Sequence, residues 1–133
     1  MTAWIFSYYT GILSGIFMLL LYLYPLRKHL KFFRSFGKMS KWFLVHTIIG
    51  LGLPILMLIH TKFLLIASLN GAIAFYGIML IASSGILGRF LLQRVTRGEI
   101  WHRLFSHWHI IHIPLVYLVF LAVLIHILAI LMY

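Results

Sequence analysis

The stretch HTIIGLGLPILMLIH, residues 46–60, holds an imidazole at each end of thirteen uncharged residues. The same frame returns as HIPLVYLVFLAVLIH, residues 112–126. Both lie within longer uncharged spans, so the first question is which solvent the chain is built for. Of its 133 residues, 64 % are hydrophobic and only 9 % are charged, and the mean hydropathy is +1.10. A water-soluble domain carries about a quarter charged residues. Hydrocarbon is the main solvent here.

Residues 1–26, 42–61, 63–88 and 104–133 contain no Asp, Glu, Lys or Arg. Each reaches the roughly 20 residues that cross a hydrocarbon core of about 30 Å. Backbone polar groups in lipid must be satisfied within the segment, which selects helices. The expected fold is all-α: an integral-membrane four-helix bundle in a single domain, residues 1–133, with helices near 3–24, 41–60, 70–89 and 106–132. Pro25 is expected to stop the first helix. A short turn at 61–69 sets the second and third antiparallel, so the second and fourth run parallel. The first segment lacks a basic leader and a small-residue cleavage site. With Trp4, Tyr8 and Tyr9 as an interfacial belt, it reads as a retained helix.

The net charge is +10, and its distribution is a topology signal. Arg27, Lys28, Lys31, Arg34, Lys38 and Lys41 lie between the first two helices; Arg89, Arg94, Arg97 and Arg103 lie between the last two. Lys62 alone lies in the remaining turn. The positive-inside rule puts the two basic loops in the cytoplasm and both termini outside. Anionic lipid headgroups, rather than nucleic acid, are the partner this charge implies. The absence of cysteine removes disulfides, thiolate-bound zinc, iron–sulfur clusters and covalently attached haem.

A histidine inside a span is costly and commonly functional, although a lone one often just hydrogen-bonds a neighbouring helix. Here the spacing repeats. With 8 His in the chain, composition gives roughly 0.4 pairs fourteen residues apart, and two are present. Fourteen residues rise about 21 Å along a helix, and two heptads keep both rings on one face of a left-handed bundle. On parallel helices His46 then stands opposite His112, and His60 opposite His126. An offset of 66 residues also matches Trp42 to Trp108, Leu58 to Leu124, Ile59 to Ile125 and, more weakly, Gly11 to Gly77. Five identities over nineteen positions do not establish a duplication.

Zinc or copper wants three or four ligands converging at one point. Two imidazoles at each of two depths suit two planar haems, with irons about 20 Å apart by the helical rise. Gly71 and Gly85, again fourteen apart, leave room for a disc beside the third helix. Gly77, Ser83 and Ser84 widen that surface, and Gly11, Ser14 and Gly15 do so on the first helix. Small residues also pack membrane helices generally.

This pattern resembles the haem-bearing half of cytochrome b and the small four-helix di-haem cytochromes b of bacterial membranes, including dehydrogenase anchor subunits. The resemblance covers helices two to four. The first helix departs from it, with Pro25 rather than glycine fourteen residues after Gly11. It implies two non-covalent haem b groups, with His46, His60, His112 and His126 as axial ligands to iron and Gly71 and Gly85 as haem contacts. Haem propionates need cations: Lys41, Arg89 and Arg103 lie near the inner level, and Lys62 near the outer, where it equally serves as an anchor for the helix end. The expected activity is transmembrane electron transfer, in a bacterial inner membrane, between a quinone pool or redox partner subunit on either side. The chain would be an electron-transfer subunit rather than a stand-alone catalyst, in a homo- or hetero-oligomer.

Glu99 is the only acid, so a quinone site shared with a partner subunit is expected. His102, His107 and His109 cluster in WHRLFSHWHIIH, residues 101–112, as proton shuttles, propionate or metal contacts, or simply interfacial side chains. His29 sits in a basic run and reads as solvated. Two other classes stay open: a His-lined metal or proton transporter, and a haem-free structural membrane anchor.

Overall fold

The computed structural model describes residues 2–62 and 68–132. They form four helices: α1 (Thr2–His29), α2 (Met39–His60), α3 (Leu69–Leu92) and α4 (Glu99–Met132). All four are long and apolar enough to cross a membrane, and the described residues contain no strand. The fold is all-α, as the uncharged spans require. Most of the turn expected at 61–69 lies outside the described residues.

The chain divides into two compact units, Met1–Leu64 and Leu65–Tyr133, each built on one antiparallel helical hairpin. Their cores are thin. Met18, Leu53 and Met57 are buried in the first, and Ala74, Phe75, Ile78, Leu91 and Val119 in the second. Most remaining Leu and Ile side chains point outward. That is costly in water and neutral in lipid, where close packing and hydrogen bonds, not apolar burial, join helices.

In the first hairpin, α1 does not stop at Pro25; it continues to His29 with the proline inside. Proline removes the N–H that would bond the carbonyl four residues back, which is Leu21. That carbonyl instead meets His46 Nδ1 of α2 at 3.1 Å. A neighbouring helix thus supplies the missing donor, as membrane helices permit. Basic Arg27, Lys28 and His29 in the last turn complement the negative end of the helix dipole.

Arg27 is not a solvated loop cation: it is only 7 % exposed. Its guanidinium donates to the carbonyls of Arg34 (3.3 Å), Phe36 (3.3 Å) and Gly37 (2.5 Å), and approaches Met39 Sδ at 3.0 Å. These bonds wrap residues 31–38 around it, through a 3-10 turn at Lys31–Ser35. Gly37, at φ +70°, makes the reversal into α2. Trp42 closes the loop by donating from Nε1 to the Phe36 carbonyl at 2.6 Å.

In the second hairpin, Ser68 caps α3, its Oγ accepting from Gly71 N at 3.1 Å. Close approach to α4 rests on missing side chains. A Cβ at Gly77 would come within 2.8 Å of Val119 Cγ2, and one at Gly88 within 2.0 Å of Trp108 Cζ2. Helix α4 begins at Glu99, seven residues before the expected start. Glu99 favours the positive end of the helix and pairs with Arg103 one turn on. His102 and Arg103 are therefore helical. Arg94 lies 3.4 Å over the Phe90 ring and 5.4 Å from the Trp101 ring.

The two hairpins differ in internal register. A 66-residue offset carries Leu21 to Leu87, yet the α3 partner of His112 is Ser84, three residues earlier. Gly11 faces the His60 ring while its counterpart Gly77 faces Val119. The shift is three residues at His112 and six at His126, which meets Gly71 rather than Gly77. The sequence match between α2 and α4 does not extend to how each meets its neighbour.

Candidate cofactor-ligating histidines

His46 and His60 both turn toward α1 and are half-buried. The shared heptad face is thus realised. Each Nδ1 meets a main-chain oxygen: Leu21 O at 3.1 Å and Ser7 O at 2.9 Å. A carbonyl can only accept, so in the neutral ring Nδ1 carries the hydrogen and the lone pair is on Nε2. This is the tautomer of a metal-binding imidazole held by an outer hydrogen bond.

His60 has further restraints. Thr10 Oγ1, which donates to Phe6 O at 2.9 Å, is 3.3 Å from His60 Nδ1. Gly11 leaves the space the ring fills, since a Cβ there would stand 2.9 Å from His60 Cε1. Around His46, the Tyr24 ring centroid is 5.0 Å away, tilted 37°. Leu20, Leu23, Tyr24, Trp42, Val45 and Ile49 line a small apolar recess beside the imidazole, about 160 Å³ in volume.

In the second hairpin His112 and His126 turn toward α3. His112 Nδ1 is 2.9 Å from Ser84 Oγ. The Trp108 indole stacks on the His112 ring at 4.7 Å and donates to Ser84 O (2.8 Å) and Oγ (3.0 Å). Ser84 thus joins His112 to Trp108. A hydroxyl can accept or donate, so His112 is not fixed in one tautomer as the carbonyl-bound rings are. His126 lies against Gly71, where a Cβ would be 3.2 Å from its Cε1.

Trp42 and Trp108, equivalent in sequence, do different work. One binds the Arg27 loop; the other braces a histidine. Among the other expected contacts, Gly85 is open, with nothing within 4 Å of a Cβ built there. Lys62 follows α2 in a left-handed conformation, φ +53°. Arg89 is half-buried in the last turn of α3, and exposed Arg103 pairs with Glu99. Lys41 is exposed at the start of α2. His107 Nδ1 donates back to Arg103 O at 2.7 Å, and His109 packs on Phe105 and Trp108. Among the described residues no three His, Cys, Asp or Glu side chains gather as a metal-binding group.

Sequence reasoning did not find the acceptors. Every residue has a carbonyl, so nothing marks those of Ser7 and Leu21 except, for Leu21, a proline four residues later. Ser84 appeared only as a small residue, although Trp108 four residues before His112 was a visible cue. Comparison with protein-family models, curated proteins and solved structures returns no significant match in any of the three.

Proposed function

We propose that the chain is an integral-membrane di-haem b-type cytochrome that carries electrons across the bilayer. The observation that carries the reading is the hydrogen bonding of His46 and His60. Main-chain acceptors hold both Nδ1 atoms as donors on one helix face, which leaves Nε2 as the metal-binding nitrogen. The donor set fits haem b: two imidazoles on one helix face, fourteen residues apart, with a second pair at the same spacing in α4. In this reading His46 pairs with His112, and His60 with His126.

Bound haem would supply a one-electron iron couple, and His46 with His112 and His60 with His126 are the residues that would hold it. In this reading the rings are the ligands, and Lys41, Arg89 and Arg103 serve the propionates at one level and Lys62 at the other. Gly71 gives room to the His126 ring, and Gly85 opens space for a macrocycle. The basic loops face the cytoplasm, both termini lie outside, and the membrane is a bacterial inner membrane. A quinone pool or partner redox subunit supplies and removes electrons, with any quinone site shared, because Glu99 is the only acid.

The test is ligand substitution with haem counting. His60→Ala removes one of two haems and spares the other, and His46→Ala removes the complementary one. Retention of both haems in a folded His60→Ala protein refutes the pairing.

A further inference from the structure

We propose that the loop between α1 and α2 is a preformed binding site for anionic phospholipid, independent of any cofactor. Its scaffold is Arg27, whose buried guanidinium gathers the carbonyls of Arg34, Phe36 and Gly37. With that charge turned inward, five others remain on the last turn of α1, the loop and the start of α2: Lys28, Lys31, Arg34, Lys38 and Lys41, all exposed. No acid precedes Glu99 in the chain, so nothing in this hairpin neutralises them.

Between these cations the loop presents a cluster of rings. Phe32, Phe33 and Phe36 lie with centroids 5.4 to 6.2 Å apart, and Phe32 and Phe36 are 73 % and 53 % exposed. Exposed phenyl rings beside lysines, at the end of membrane-crossing helices, match the boundary between acyl chains and headgroups. The rings enter the acyl region while the cations meet phosphate. The segment between α3 and α4 is built differently: Arg94 is stacked on Phe90, Arg103 in the first turns of α4 is paired with Glu99, and Arg97 is the one exposed cation of the loop itself. Charge complementarity therefore selects the first loop and an anionic, acylated ligand.

The experiment titrates the detergent-solubilised full chain with phosphatidylglycerol or phosphatidylcholine and counts retained lipid by native mass spectrometry. Wild type holds phosphatidylglycerol in preference to phosphatidylcholine, and the preference fades with salt. At about fivefold per cation, Lys31→Gln/Arg34→Gln/Lys38→Gln weakens phosphatidylglycerol binding on the order of a hundredfold. Arg94→Gln/Arg97→Gln, in the other loop, leaves it within a few-fold. Phe32→Ser/Phe36→Ser weakens it too, and glycerol phosphate at equal concentration does not compete. Arg27→Lys keeps the charge but cannot span the three carbonyls, and lowers the preference.

Equal retention of the two lipids by wild type overturns the proposal, as does full competition by glycerol phosphate. An Arg27→Lys protein with unchanged selectivity overturns the preformed site. Loss of lipid preference alongside an acidic protein subunit that binds only the intact loop would reassign the surface to a protein partner.

Discussion

His60 shows how much a single imidazole is held by what its neighbours lack. Ser7 O and Thr10 Oγ1 fix Nδ1, and Gly11 leaves the ring its space. A methyl group at residue 11 would stand 2.9 Å from Cε1, so the ring must move or its hydrogen bonds stretch. At Gly15, one turn on, a Cβ meets nothing within 4 Å. With His60 a haem ligand as proposed, Gly11→Ala is therefore expected to lower haem occupancy at that level, whereas Gly15→Ala leaves it unchanged. Haem content of the two purified variants measures the difference. The histidine spacing was legible in the sequence because fourteen residues return to one helix face. The fixing partners were not, because a main-chain carbonyl has no residue identity.

At the scale of the helix, the spans were legible from length and lack of charge, and the ends were not. Pro25 breaks a helix only if the carbonyl it orphans stays orphaned, and the donor that prevents this is His46, twenty-one residues later in the chain. Glu99 starts α4 through a charge pair that a hydropathy reading treats as loop. Pro25→Ala restores an N–H to Leu21 O, which then divides its acceptance between that N–H and His46. A weaker bond from Nδ1 makes the ring less basic, so, if His46 ligates haem as proposed, the midpoint potential at that level rises while the other stays in place. Redox titration followed by absorbance separates the two. Packing gives another contrast. Gly88→Ala drives a methyl into Trp108 and destabilises the second hairpin by about 1–3 kcal/mol. Gly85→Ala meets no protein atom within 4 Å, so in the haem-free protein it gains up to about 1 kcal/mol of helix propensity. Denaturant or thermal unfolding in detergent gives both signs.

Across the whole molecule, two hairpins each carry two imidazoles turned toward the neighbouring helix, on a helix long enough to cross a bilayer. They reach this by different means: main-chain acceptors in the first hairpin, and Ser84 with a stacked Trp108 beside His112 in the second. Sequence resemblance between α2 and α4 was readable, but the change of register was not, since it shows only in which residues of α1 and α3 each histidine meets. Haem stoichiometry of the folded full chain in mild detergent, read with the absorption spectra of its oxidised and reduced forms, tests the account most directly. The expected result is two b-type haems per chain, both low-spin with imidazole on each face. A helical, folded and colourless protein that takes up no added haem would contradict it.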